Sequence, residues 1–124
     1  MARLGTVLVV EDHRGVRALA VAVLERAGWT VVEATSPAAA RVVLAEQEVD
    51  VILSDIAMPG GTGEVPTYPA DVRGRRPGLV YMSGDTARAA VRRQPGTEGA
   101  RFLEKPFAPE TLVEALARAA RALG

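Results

Sequence analysis

Thr6-Val7-Leu8-Val9-Val10 runs straight into Glu11-Asp12, and the reading of these seven residues decides the fold. The first five are apolar or β-branched without polar alternation, the mark of a strand covered on both faces. A helix-period segment follows. Val16, Ala20, Val23, Leu24 and Ala27 share one side, while Arg14, Arg17 and Glu25 lie largely off it. Gly28 stands where a helix-ending glycine belongs.

The same strand-then-helix unit recurs to the end of the chain. Thr30 to Ala34 reads as a second strand, and Ser36-Pro37 as an N-cap with proline opening a helix that runs to about Glu46. Val51 to Ser54 and Leu79 to Ser83 are the third and fourth strands. A short helix is predicted from Asp85 to Arg93, a fifth strand from Arg101 to Glu104, and a last helix from Pro109. That helix carries Leu112, Val113, Leu116, Ala119, Ala120 and Leu123. Alternation of this kind predicts an α/β fold around a parallel sheet, with right-handed crossovers placing helices on both faces.

One stretch breaks the pattern. Residues 59–78 hold Pro59, Pro66, Pro69 and Pro77, with glycines at 60, 61, 63, 74 and 78. An interior proline costs a helix about 3 kcal/mol. The third helix is therefore expected to be short or irregular, confined to Pro69–Arg75, over a thinly packed sheet face.

A length of 124 residues suits one domain. Lys plus Arg number 15, as do Asp plus Glu, so no global field draws the chain to nucleic acid or an anionic membrane. No contact with either is expected. With no cysteine, thiolate metal sites and cysteine nucleophiles are excluded. No apolar run approaches the ~20 residues that span a bilayer, and the first five residues lack a signal-peptide stretch. A cytoplasmic location is the expectation.

The chemistry gathers at strand ends. Glu11 and Asp12 follow the first strand, Asp55 the third and Lys105 the fifth, while Ser83 ends the fourth. In open α/β sheets ligands bind beyond the carboxyl ends of the strands. Converging carboxylates repel, by ~1 kcal/mol for a pair 4 Å apart in water and ~4 kcal/mol at an effective dielectric of 20. Such a cluster raises a pKa or takes up a cation. An all-oxygen ligand set favours Mg²⁺ or Mn²⁺.

Four blocks now stand in register: Val9-Val10-Glu11-Asp12, Asp55-Ile56-Ala57-Met58-Pro59-Gly60, Met82-Ser83-Gly84 and Glu104-Lys105-Pro106-Phe107. Together they resemble the receiver domains of bacterial response regulators, along almost the whole chain. The resemblance implies a flavodoxin-like, CheY-like doubly wound sheet of five parallel strands in the order 2-1-3-4-5. It implies that Asp55 takes a phosphoryl group from the phosphohistidine of a histidine kinase or phosphotransfer domain. Asp12 and Asp55 would ligate the metal, Glu11 directly or through water, and the Ala57 carbonyl would complete the set. Lys105 would pair with phosphoryl oxygens and Ser83 would bond one of them. Phe102 would be the switch aromatic, and Lys105-Pro106 a cis peptide bond.

The implied output surface is the fourth helix, the fifth strand and the last helix, which could also form a homodimer. Wording such as Met-Ser-Gly and Glu-Lys-Pro-Phe is similar to receivers fused to hybrid histidine kinases. After Lys105 there is room for one helix, so no effector domain is expected in this chain. Such a domain is a signalling phosphoacceptor and not an enzyme in the ordinary sense.

Some residues depart from that pattern or compete with it. Ala57 stands where many relatives carry a polar side chain, so it cannot orient an attacking water. His13 reads as an exposed loop histidine. Gly60-Gly61-Thr62-Gly63 lacks the Gly-Lys-Ser/Thr of a phosphate loop. Arg73, Arg75 and Arg76, with Arg88, Arg92 and Arg93, read as solvated surface. A Mg²⁺-dependent phosphohydrolase is one rival, but Ala57 occupies the place of its general acid. A binding module that takes no phosphate is the other, and the intact set of Glu11, Asp12, Asp55, Ser83 and Lys105 argues against it.

Overall fold

The computed structural model describes residues 4–56, 65–83 and 99–121. Five strands, β1 (Gly5–Val10), β2 (Trp29–Ala34), β3 (Val51–Asp55), β4 (Gly78–Ser83) and β5 (Arg101–Glu104), make one parallel sheet ordered β2-β1-β3-β4-β5. Three helices are described: α1 (Arg14–Arg26), α2 (Pro37–Glu46) and α3 (Pro109–Arg121). The strand order reverses between β1 and β3, the switch point where such sheets open a crevice. Register brings the ends level there, with Val10 opposite Ser54 and Asp55 opposite Met82.

The two-residue period of the strands splits the core between the sheet's faces. Val7, Val9 and Leu53 pack on one face with Leu24 of α1 and Leu112 and Leu116 of α3. Leu8, Val10 and Ile52 pack on the other with Ala40 and Leu44 of α2. Each large aliphatic side chain so buried contributes about 1.5–3 kcal/mol. The middle strands are covered on both sides, as their unbroken apolar runs predicted.

Helix ends follow local chemistry. The Ser36 hydroxyl accepts the Ala39 N–H at 3.1 Å, with Pro37 in the first turn of α2. At α1 the cap is His13, whose Nδ1 accepts the Val16 N–H at 3.1 Å. His13 is exposed, as expected, but it also satisfies a helix-end donor. Gly28 follows α1 at φ +107°, in the region that favours glycine.

The third helix departs from expectation. Residues 65–77 form a strap without a helix, carrying only a turn around 72–74. The helix anticipated over Pro69–Arg75 is not formed, and Asp71 supplies the reason. Its Oδ1 accepts the N–H groups of Arg73 at 2.9 Å and Arg75 at 3.3 Å, offering the backbone an alternative to helix bonds. Its Oδ2 accepts the Val49 N–H at 3.0 Å and lies 2.6 Å from an Arg73 guanidinium nitrogen. Arg73 also reaches Asp50 at 3.5 Å, and Asp50 accepts the Thr6 N–H at 2.8 Å. Arg73 is exposed, as expected, and is also a structural tie from the strap to the base of β1 and β3.

Nor is the sheet face thinly packed. Tyr68 of the strap is buried against the cluster holding Leu8, Val10 and Ile52, and Val65 packs beside buried Tyr81. The Tyr81 hydroxyl donates to the Pro66 carbonyl at 2.5 Å, and Arg41 of α2 donates to the Thr67 carbonyl at 3.3 Å. The helix predicted over Asp85–Arg93, its arginines and the glycines of 60–63 lie outside the described residues.

Candidate functional site

Glu11, the first residue beyond β1, is completely buried, and Asp55, the last residue of β3, is nearly so. Asp12 beside them is exposed. One carboxylate oxygen from each of the three lies within 4.8 Å of the others. Lys105, immediately after β5, enters from the far side of β4. Its Nζ donates to Glu11 Oε1 at 2.9 Å and stands 3.3 Å from Asp55 Oδ2. The Lys105-Pro106 peptide bond is cis, as the resemblance implied.

Burial alone would lower the Lys105 pKa, but its hydrogen bond to Glu11 and the charges of Asp55 and Glu11 outweigh that, and the ammonium is held above its ordinary value. A buried charge persists only when paired, and here one cation serves two carboxylates. The exposed Asp12 side leaves the cluster accessible. The donor set is all oxygen, so these residues could hold a hard cation.

Backbone contacts set the geometry. Glu11 N–H donates to the Ala34 carbonyl and Ile56 N–H to the Met82 carbonyl, each at 3.1 Å. His13 N–H reaches Glu11 Oε2 at 3.3 Å. Arg17 folds back from α1 to donate to the Glu11 carbonyl at 2.9 Å, while its Nε pairs with Glu33 at 3.2 Å. Arg17 lies off the apolar side of α1, as its spacing implies, but its contact with the site is not evident from that spacing; its place in the first turn after an acidic loop is the signal the sequence offers. Ser54, one residue before Asp55, was also unmarked in the sequence. Its hydroxyl donates to the Asp55 carbonyl at 2.9 Å and lies 2.7 Å from the Tyr68 hydroxyl. Burial, offset in part by Ser54 and Arg41 and reinforced by the charge of Asp55, pushes the Tyr68 phenol up to about 12.

The remaining expected residues are placed as follows. Ser83 ends β4 opposite Glu104 of β5, its side chain lying outside the described residues, as does the whole of Ala57. Phe102 is half-buried on β5, its ring centroid 6.1 Å from that of Tyr81 at an interplanar angle of 31°.

The sequence matches the response regulator receiver domain family over residues 7–117. The chain belongs to that family. Its receiver sequence is 37% identical over 111 residues to the sensor kinase CckA of Brucella abortus (strain 2308), covering 86% of this chain and 12% of that protein. The chain therefore spans about an eighth of that relative's length. Among solved structures it is similar to the receiver domain of the hybrid histidine kinase CckA, with a TM-score of 0.69 and 27% identity, covering 94% of this chain and 99% of that one. A CheY-like receiver domain protein from Methanospirillum hungatei JF-1 shares the fold, with a TM-score of 0.73 and 23% identity over 96% of each chain. The receiver is thus a domain of two-component signalling, with the expected CheY-like sheet order. Among the described residues, no helix is long and apolar enough to cross a membrane.

Proposed function

We propose that this receiver accepts a phosphoryl group on the Asp55 carboxylate from a phosphohistidine of a histidine kinase or phosphotransfer domain. The observation that carries the reading is the meeting of Glu11, Asp12 and Asp55 within 4.8 Å, with the Lys105 ammonium joined to two of them. An Asp55 oxygen attacks phosphorus and the P–N bond to the donor imidazole breaks. The electron pair returns to that nitrogen, which gains a proton. Phosphoryl transfer asks a protein chiefly to position groups and neutralise charge.

Glu11, Asp12 and Asp55, with the Ala57 carbonyl, would hold Mg²⁺ or Mn²⁺. When bound, the cation would neutralise charge on the oxygens around phosphorus. Lys105 balances the buried carboxylates beforehand and pairs with phosphoryl oxygens afterwards. Ser83 bonds one of those oxygens, and Phe102 responds as the switch aromatic. The surface of β5 and its flanking helices then changes partner or self-association. The likeness to a sensor kinase supports a kinase or phosphotransfer partner in the cytoplasm, within a phosphorelay.

Incubating the protein with acetyl phosphate and Mg²⁺ tests the reading. The expected result is about one hydroxylamine-labile phosphoryl group per chain, absent in Asp55→Asn. Continuous release of phosphate at many turnovers would instead indicate a hydrolase, and no labelling would indicate a binding module.

A further inference from the structure

Asp55 is the last residue of β3, so the peptide joining it to Ile56 is the point where the ladder ends and the site begins. That peptide is gripped at both ends. Its N–H, on Ile56, donates to the Met82 carbonyl at 3.1 Å, and its carbonyl, on Asp55, accepts from the Ser54 hydroxyl at 2.9 Å. A serine hydroxyl has one proton. With that proton given to Asp55, the 2.7 Å contact to Tyr68 requires the phenol to donate. The order of donation is therefore Tyr68 to Ser54 to the Asp55 carbonyl.

Both hydroxyls sit in the interior, with Ser54 fully buried and Tyr68 6% exposed, so solvent does not readily replace either. Tyr68 itself is held by its strap, which is anchored next to it at Pro66 by Tyr81 and at Thr67 by Arg41. A hydrogen bond in such surroundings is stronger than in water, and chains of them reinforce one another. The plane of the 55–56 peptide sets the direction of the bonds at the Asp55 Cα, and through them where the carboxylate points. Its Oδ2 must keep its place 3.3 Å from Lys105.

We propose that Tyr68 is a positioning residue for phosphoryl acceptance, acting through the Ser54 hydroxyl to hold the Asp55 peptide, so that the irregular strap supplies part of the site's preorganisation. This rests on Asp55 being the phosphoacceptor. Chemistry between a nucleophile and phosphorus is sensitive to displacements of about 1 Å, so loosening this peptide slows transfer without removing any group that touches the phosphodonor.

The test uses the full chain as wild type, Tyr68→Phe, Ser54→Ala, the double variant and Val49→Ala. Val49 is a buried member of the Tyr68 cluster with no place in the relay, and reports what destabilisation alone does. Acetyl phosphate uptake in saturating Mg²⁺ is followed against phosphodonor concentration, below each variant's thermal midpoint. Tyr68→Phe and Ser54→Ala are each expected to lower the maximal rate about 3–10-fold, with the half-saturating concentration unchanged. The double variant should be no slower than the slower single one, because both cut the same chain. Val49→Ala should lose thermal stability and keep its rate. Wild-type labelling with undiminished maximal rates in both single variants overturns the relay and leaves the phosphoacceptor reading standing. Independent, multiplying losses in the double variant, or an equal loss in Val49→Ala, also overturn it. Absence of wild-type labelling overturns the phosphoacceptor reading itself, and the relay's role with it.

Discussion

Replacing Lys105 by methionine keeps an unbranched side chain only one atom shorter and deletes its charge, which sets two properties of the site against each other. The ammonium lies 2.9 Å from Glu11 Oε1 and 3.3 Å from Asp55 Oδ2. At an effective dielectric of 20 these contacts are worth about 6 and about 5 kcal/mol of gross attraction. Each pair among the three carboxylates, with ligand oxygens no more than 4.8 Å apart, repels by at least about 3 kcal/mol on the same scale. Attraction and repulsion are thus of similar size. Solvent at the exposed Asp12 and along the partly exposed lysine reduces both.

Lys105→Met therefore leaves an uncompensated acidic cluster and removes a competitor for the oxygens a cation would use. With screening leaving about 1–2 kcal/mol of that gross difference, Mg²⁺ is expected to bind about 5- to 30-fold more tightly. The metal-free variant should unfold more easily than wild type. Phosphoryl uptake at saturating Mg²⁺ should fall at least about tenfold, because a positive group facing the transferred charge is gone. Titration calorimetry at constant ionic strength gives the affinity, and acetyl phosphate labelling gives the rate. Unchanged or weaker Mg²⁺ binding in Lys105→Met would refute the reasoning.

Asp71→Asn should lower stability at neutral pH by about 1–3 kcal/mol, since the buried Val49 N–H and its companions lose a shared acceptor. Arg73, then the backbone N–H groups of Val49, Arg73 and Arg75, working against burial, hold the Asp71 carboxyl well below the usual range. A lowered folded pKa contributes stability above the unfolded value near 3.9, lost as pH falls through the folded value. The wild-type advantage in urea unfolding should accordingly be full at pH 5–7 and shrink below about pH 4; parallel curves would count against it. Gly78→Ala would set a Cβ 2.9 Å from the Ala119 carbonyl oxygen of α3, and a loss of about 1–3 kcal/mol is expected; an unchanged urea midpoint would show that the helix yields freely. Ala57→Asn adds a polar side chain two residues after Asp55, and is expected to speed loss of phosphate from the labelled protein severalfold. A rate unaltered by the substitution would argue against the side chain at position 57 governing that loss.

Much of the architecture was legible because burial on both faces leaves a simple imprint. The runs at Thr6–Val10 and Val51–Ser54 had to be central strands, since no polar residue alternates to face water. Ser36-Pro37 and Gly28 marked helix ends through their own local chemistry. The strap was not legible in the same way. Its prolines announced trouble for a helix, but the helix fails because the Asp71 carboxylate binds amides around it and meets Arg73 and Val49, contacts that need the folded chain.

The strand-end carboxylates, Lys105 and the family likeness could be listed from one dimension, because a parallel sheet sends every strand's carboxyl end the same way. Their meeting could not. Glu11 and Lys105 are 94 residues apart, and only the order β2-β1-β3-β4-β5 and its register bring Nζ within 2.9 Å of the buried carboxylate. The Arg17 clamp and the contact between Tyr68 and Ser54 belong to the same class. Local sequence sets which groups are present and where each element starts and stops. Long-range packing decides which polar groups share a buried space, because there a charge or hydroxyl must find its partner from another part of the chain.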